Sequence, residues 1–274
     1  MKKALLILIG IFFLLVSYAE AKDLVLLHGL TNKHRWGSSF LSKCLEKFGS
    51  GNVYAVYSDG STNVWTKSIN GRQLIGCGED SYNAGDDSIA VQAANVQQCI
   101  LKLQNQYGLS STFNIIAHSM GGLVSRYYIY QHPNTVAGLV TLGTPHHGSY
   151  LATDTEFIGF FIGAQAAMDD LKPNACQSFN NLYPVMGAPL AAGGKVYTIG
   201  GDGDGWDCWG AMGELYLGWN ILKIGHGQDS DGLVARGSEQ ITGATHIKTF
   251  WSYDHQDLVK KSDVATTALQ YVSP

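Results

Sequence analysis

The residues best suited to chemistry are concentrated in Asn114-Ile115-Ile116-Ala117-His118-Ser119-Met120-Gly121-Gly122. An apolar run enters a small-x-Ser-x-Gly turn, and a helical pattern begins directly after it. Such a turn is sharp and strained, and it lifts a serine hydroxyl clear of the backbone. The residues two before and two after the serine must be small, because strand and helix nearly touch there. Gly121 meets that need, and Ala117 fills a place more often held by glycine. The helix N-terminus behind Ser119 helps to stabilise negative charge. The chemistry this pattern predicts is nucleophilic attack by Ser119 with a covalent intermediate. A bare small-x-Ser-x-Gly match would read as a chance serine in a turn; the flanking strand and helix argue against that here.

A serine nucleophile needs a histidine to take its proton and a carboxylate to orient that histidine. In a strand–turn–helix setting the chain order is serine, acid, histidine. His255 lies just past the last strand pattern and before the final helix, so it is the predicted base. His246 precedes the same strand and belongs at its far end. His146 and His147 follow an earlier strand but come before any acid. For the acid we expect Asp231, in Ser230-Asp231-Gly232-Leu233-Val234, with Asp202 and Asp204 as alternatives; any of the three also suits a turn beside glycine. Two backbone N–H groups usually hold the oxyanion of an acyl transfer. Met120 should give one. Leu30, in His28-Gly29-Leu30 after the first strand, should give the other, with Gly29 letting the backbone turn inward. His28 is expected to be a hydrogen-bonding residue of that turn and not a catalytic one.

These residues must be placed by a scaffold. Residues 23–27, 52–57, 113–117, 136–142, 195–199 and 246–251 read as strands. Helices are expected over 39–48, from an N-cap at 86–88 through about 107, from 121 onward, and over about 257–271. The strands are continuously apolar, not alternating, as in parallel strands buried on both faces. Alternating strands and helices imply an α/β fold, a mostly parallel sheet with helices on both faces. Residues 61–85 are polar and glycine-rich and read as a long surface loop. The alternation breaks over about 149–194, the natural place for a cap or lid insertion. Within it, Phe157 to Met168 is apolar nearly all round, which suits either a mobile lid against lipid or a buried cap helix. Trp206, Trp209 and Trp219 could line an acyl pocket or simply pack.

Composition sets the broad class. The chain has 274 residues, 45% hydrophobic and 15% charged, with a formal net charge of −4. That balance fits one globular domain acting on an apolar or neutral substrate, and it argues against a nucleic-acid surface. Residues 1–21 combine Lys2 and Lys3, an apolar run and Ala19-Glu20-Ala21, the pattern of a signal peptide. The expected mature domain is then 22–274, secreted to an extracellular or periplasmic compartment. Five cysteines, with no C-x-x-C, leave at least one thiol unpaired; Cys176 with Cys208 is the pairing we would guess.

Taken together, His28-Gly29-Leu30, Ala117 to Gly122, Gly143-Thr144-Pro145-His146-His147-Gly148-Ser149, Asp231 to Val234 and His255-Gln256-Asp257 resemble the bacterial secreted true lipases of the Pseudomonas and Burkholderia type. The resemblance implies an α/β-hydrolase fold and hydrolysis of triacylglycerol-like fatty esters through an acyl-enzyme. It favours Asp231 as the acid and His255 as the base. It also implies a dedicated folding chaperone and a structural calcium, with Asp257 matching one calcium ligand; otherwise Asp257 is an N-terminal carboxylate of the last helix. The chemistry itself requires no cofactor. A lipid acyltransferase or thioesterase would use the same residues, and a non-catalytic lipid-binding protein would not need to keep both Ser119 and His255.

Overall fold

Parallel strands whose side chains are buried on both faces dictate the architecture. In the computed structural model, which describes residues 23–274 apart from residues 83, 192, 211 and 212, eight strands form one sheet. They are β1 (Leu24–Leu27), β2 (Val53–Val56), β3 (Val64–Ile69), β4 (Arg72–Cys77), β5 (Phe113–His118), β6 (Val136–Leu142), β7 (Lys195–Asp202) and β8 (Thr245–Trp251). Their order is β3-β4-β2-β1-β5-β6-β7-β8, and every pairing is parallel except β3 with β4. The expected signal peptide over 1–21 lies outside the described residues.

The helices are α1 (Ser38–Phe48), α2 (Ile89–Gln106), α3 (Gly121–Gln131), α4 (Thr155–Ile158), α5 (Gln165–Asp170), α6 (Pro173–Leu182), α7 (Gly213–Asn220), α8 (Asp257–Lys260) and α9 (Ser262–Ala268). Successive strand residues point to opposite faces, and the core splits accordingly. Val25, Leu27 and Ile115 pack with Val96 and Ile100 of α2 and Leu123 of α3. Leu24, Leu26 and Ile116 pack with Phe40 and Leu45 of α1 and Val264 of α9. Ser88 caps α2 as expected, its side chain accepting the Val91 N–H at 3.4 Å. A second acceptor comes from far along the chain: Asp170 Oδ2 takes the Ile89 N–H at 2.7 Å. The C-terminal end of α5 is thus pinned to the N-terminus of α2.

Three expectations need correction. Residues 61–85 are not a plain loop, because β3 and β4 form an antiparallel hairpin within them. The turn is Asn70-Gly71, with φ of 49° and 77°, the pair of positive values that a two-residue hairpin turn demands and that Asn-Gly favours. Trp65 lies flat across Gly76, leaving no room for a Cβ there. The final helix is also not continuous. Lys261 is extended between α8 and α9 and is the N-cap of the new helix, with the Asp263 carboxylate in its first turn. Cys176 and Cys208 are both free. The Cys176 sulfur sits 3.3 Å from the Asp170 carbonyl, whereas Cys208 packs against Gly203 and Gly232.

All five cysteines are free and buried. Thiol titration without reductant should therefore find five groups in denaturant and almost none in the native protein. A count of three in denaturant would show that one pair oxidises.

Candidate active site

Ser119 joins β5 to α3 with φ +54°, a left-handed conformation that a non-glycine residue adopts only under constraint. The constraint is the close approach of three segments. A Cβ on Gly121 would overlap the His28 carbonyl, and one on Gly122 would overlap the Thr144 hydroxyl. Ser119 N–H donates to the Leu142 carbonyl at 2.8 Å, and Thr144 Oγ1 donates to the Ser119 carbonyl at 2.8 Å. These contacts fix the turn from the β6 side.

The loop after β1 closes it from the other side. A Cβ on Gly29 would fall 2.6 Å from the Ser119 Cβ. His28 Nε2 accepts the Ser58 N–H at 3.1 Å, so Nδ1 carries the proton and donates to the Gly29 carbonyl at 2.7 Å. Burial lowers the His28 pKa to about 4, so the ring stays neutral and keeps this tautomer. In a trans peptide the N–H points opposite to the carbonyl. Holding the Gly29 carbonyl therefore also sets the direction of the Leu30 N–H. Thr31 and Asn32 both have positive φ, and Asn32 Nδ2 ties this loop to Asp80 Oδ1 at 2.8 Å.

Asp231 and His255 meet directly. His255 Nδ1 donates to Asp231 Oδ2 at 2.6 Å, with both side chains buried. Asp231 Oδ1 accepts the N–H groups of Leu233 at 3.0 Å and Val234 at 2.8 Å, and the Asp231 carbonyl accepts the His255 N–H at 2.8 Å. The carboxylate is therefore fixed in one orientation. Gly143, at the end of β6 with φ +55°, lets the pair sit close: a Cβ there would lie 2.9 Å from Asp231 Oδ2 and 3.1 Å from His255 Nδ1.

The structure separates the other candidates from this pair. Asp202 bonds Arg236 at 2.8 Å, and Asp204 caps the Trp206 N–H at 2.8 Å. His246 lies between Thr198 and Thr249. His146 lies between Thr141 and Arg126, and His147 meets Asn180 at 3.5 Å.

Ser119, His255, Gly29 and Leu30 line one cavity of about 40 Å³, walled by Leu151, Phe157, Phe161, Met168, Leu171 and Leu233. Phe157 to Met168 is broken into short helices, with Phe157 and Phe161 turned inward and Ile162 91% exposed. Trp206 is 80% exposed and lines a separate cleft with Trp219. The side chain of Trp209 lies outside the described residues.

Asp257 meets Lys261 at 3.5 Å, and its N–H is spent on Asp254 Oδ1 at 2.8 Å. Burial raises Asp254 to about 6. Lys261 shares the Asp257 carboxylate and Asp254 Oδ1 is taken by the Asp257 N–H, so this pair does not supply the several oxygen ligands of a hard divalent ion. No group of three or more His, Cys, Asp or Glu among the described residues is arranged to hold a metal.

Three residues of the site were not singled out from sequence. His118 Nε2 donates to the His255 carbonyl at 3.0 Å, tying the serine turn to the histidine loop. His34 stands edge-on to His255, with ring centroids 5.5 Å apart. Glu239 is fully buried, and its Oε1 accepts the Gly201 N–H at 3.0 Å. Burial, reinforced by the nearby Asp231 charge, raises the Glu239 pKa well above the ordinary 4.5 and keeps it neutral. A Cβ on Gly200 would overlap its Oε2.

Comparison with known proteins bears on the fold. Residues 78–187 match the family of the PGAP1-like alpha/beta domain. Two proteins named triacylglycerol lipase, from Pseudarthrobacter phenanthrenivorans and Burkholderia plantarii, are each 54% identical over 39 residues, 14% of this chain. The matched stretches span only 12% and 11% of those relatives' own lengths. A Bacillus licheniformis lipase in mature form superimposes with a TM-score of 0.63 at 19% identity, covering 92% of both chains. A metagenomic carboxyl esterase does so at 0.57 and 17%, covering 93% of this chain and 74% of its own. The fold is that of the α/β hydrolases. Within it, the C-terminal ends of β1, β5, β6 and β7 and the loop after β8 bring the site together, as expected for an open sheet.

The neighbourhood of Asp231 carries a pH signature in Glu239. Its folded pKa is raised, so the stability tied to its proton is complete below about 4.5 and is lost as pH rises toward the folded value. Glu239→Gln removes that loss. Melting temperatures measured from pH 4 to pH 8 should show the variant gaining on the wild type as pH rises; a constant difference would contradict a neutral Glu239.

Proposed function

We propose that the protein is a secreted serine esterase of the lipase type, hydrolysing carboxylic esters of fatty acids. The observation that carries this reading is the buried 2.6 Å contact of His255 with Asp231 beside a serine held at φ +54° in one apolar cavity. The names of the relatives and structural neighbours, which are lipases and an esterase, support it. The leader pattern over 1–21 is the basis for secretion.

In this reading Ser119 Oγ attacks the ester carbonyl carbon while His255 Nε2 takes the hydroxyl proton. Asp231 holds the ring in the tautomer that leaves Nε2 free and stabilises the resulting imidazolium. The carbonyl oxygen becomes an oxyanion held by the N–H groups of Leu30 and Met120. The C–O bond to the alcohol then breaks, and His255 returns the proton to the departing oxygen. Water, deprotonated by His255, attacks the acyl-Ser119 ester and releases the fatty acid and the free serine.

The walls of the cavity are aliphatic and aromatic, which suits an acyl chain. Its volume of about 40 Å³ is far below the roughly 300–1,000 Å³ of most ligand sites. Short acyl groups fit as the site stands, and a long chain requires the segment carrying Phe157 and Phe161 to shift outward. Ile162 and Phe160 give the outer side of that segment an apolar surface suited to a lipid aggregate.

Hydrolysis of p-nitrophenyl esters from acetyl to palmitoyl tests the assignment. Ser119→Ala should lower kcat by roughly 10⁴-fold or more with the fold intact. Folded wild-type protein that transfers acyl groups to an added alcohol or thiol but hydrolyses none of these esters would replace the hydrolase reading with an acyltransferase one. In the same assay Phe161→Ala should raise kcat/KM for octanoyl relative to acetyl ester by about tenfold. An unchanged chain-length profile would remove Phe161 from the acyl wall.

A further inference from the structure

His34 is a buried ring of the cavity that the hydrolytic steps leave unused. It follows the loop that carries Leu30 and lines the cavity with Ser119 and His255. It is only 7% exposed, and neither ring nitrogen has a hydrogen-bond partner. A buried polar group without a partner is costly and rare, and this one opens onto a cavity whose other walls are mostly aliphatic and aromatic.

Its position selects which part of a substrate it can meet. The Nδ1 of His255 is bound to Asp231, so Nε2 is the atom that protonates the departing alcohol oxygen. The His34 ring stands edge-on to His255 at 5.5 Å and to His118 at 6.2 Å. His34 thus stands beside the ring that serves the departing alcohol oxygen. Burial, with the charges of Lys260 and Lys33 nearby, pushes His34 well below its ordinary pKa, so its ring is neutral. A neutral imidazole offers one donor and one acceptor, which matches a hydroxyl group. A phosphate or carboxylate would call for a free cation, and Lys33 at this cavity is already engaged by the Phe160 carbonyl at 3.0 Å and Glu214 at 3.6 Å.

We propose that His34 is a specificity-determining residue that hydrogen-bonds a free hydroxyl on the alcohol portion of the substrate, so that the preferred substrates are esters of polyols retaining a hydroxyl, such as partial glycerides. This rests on the ester-hydrolase reading above. The test compares kcat/KM for glycerol monobutyrate and ethyl butyrate in the wild type, His34→Phe and His34→Gln, with thermal unfolding of each. The wild type should prefer the glycerol ester. His34→Phe keeps a ring in place and should cut the ratio of the two constants by about tenfold, the factor a single lost hydrogen bond to a buried partner commands. His34→Gln restores a donor and an acceptor and should recover part of the ratio. An unchanged ratio in His34→Phe, or an equal fall for both esters, would overturn the inference while leaving the hydrolase reading intact. Wild-type protein inactive on both esters would overturn both.

Discussion

The structure depends on how closely backbone can approach Ser119. Gly29, Gly121, Gly122 and Gly143 stand where a Cβ would meet Ser119, His28, Thr144 or the Asp231–His255 pair. They let the β1 loop, the start of α3 and the end of β6 converge on one point. The strain of the serine at φ +54° is supported there by hydrogen bonds from the β6 side and by the close packing of Gly29 from the β1 side. The site is thus a property of the backbone first and of reactive side chains second. Replacing any of these glycines forces a shift in a well-packed interior, which typically costs about 1–3 kcal/mol.

Dryness is the second organising feature. His28, His34, His118 and His146 are all pushed below their ordinary pKa, chiefly by burial, so four rings are neutral, and His28, His118 and His146 hydrogen-bond within the protein. Each neutral ring has one donor and one acceptor, and the neighbours decide which nitrogen keeps the proton. His28 donates through Nδ1 to orient the Gly29 peptide, and His118 donates through Nε2 to the His255 carbonyl. The protons of His28 and His118 are therefore placed by backbone carbonyls, which do not titrate, while Asp231 places that of His255.

Much of this was legible in the sequence, because the relevant interactions are local. The serine turn is specified within nine residues, 114–122, and strands buried on both faces read as plain apolar runs. Ser88 announces α2 by its type and place. What escaped reading has two causes. Asn70-Gly71 was a local clue hidden by polar surroundings: β3 exposes Thr66, Lys67 and Ser68, so its residues do not look like those of a strand. Glu239, His34 and the Asp170 cap on α2 have partners that are distant in sequence or have none in the protein, and no spacing rule reaches them. The disulfide guess failed for the same reason, since two cysteines in neighbouring insertions face different walls.

The hairpin also bears on how the sheet ends. An open parallel sheet leaves backbone donors and acceptors bare along its outer strands, an invitation to another chain. Here β3 takes the outer place on one side, turned antiparallel and studded with Lys67 and small hydroxyl residues, and β8 closes the other side with Lys248 and exposed Trp251. Charged side chains on a border strand make stacking of further strands unfavourable. The stretch that reads as a featureless loop thus works as a guard against aggregation for a sheet whose inner strands are almost wholly apolar.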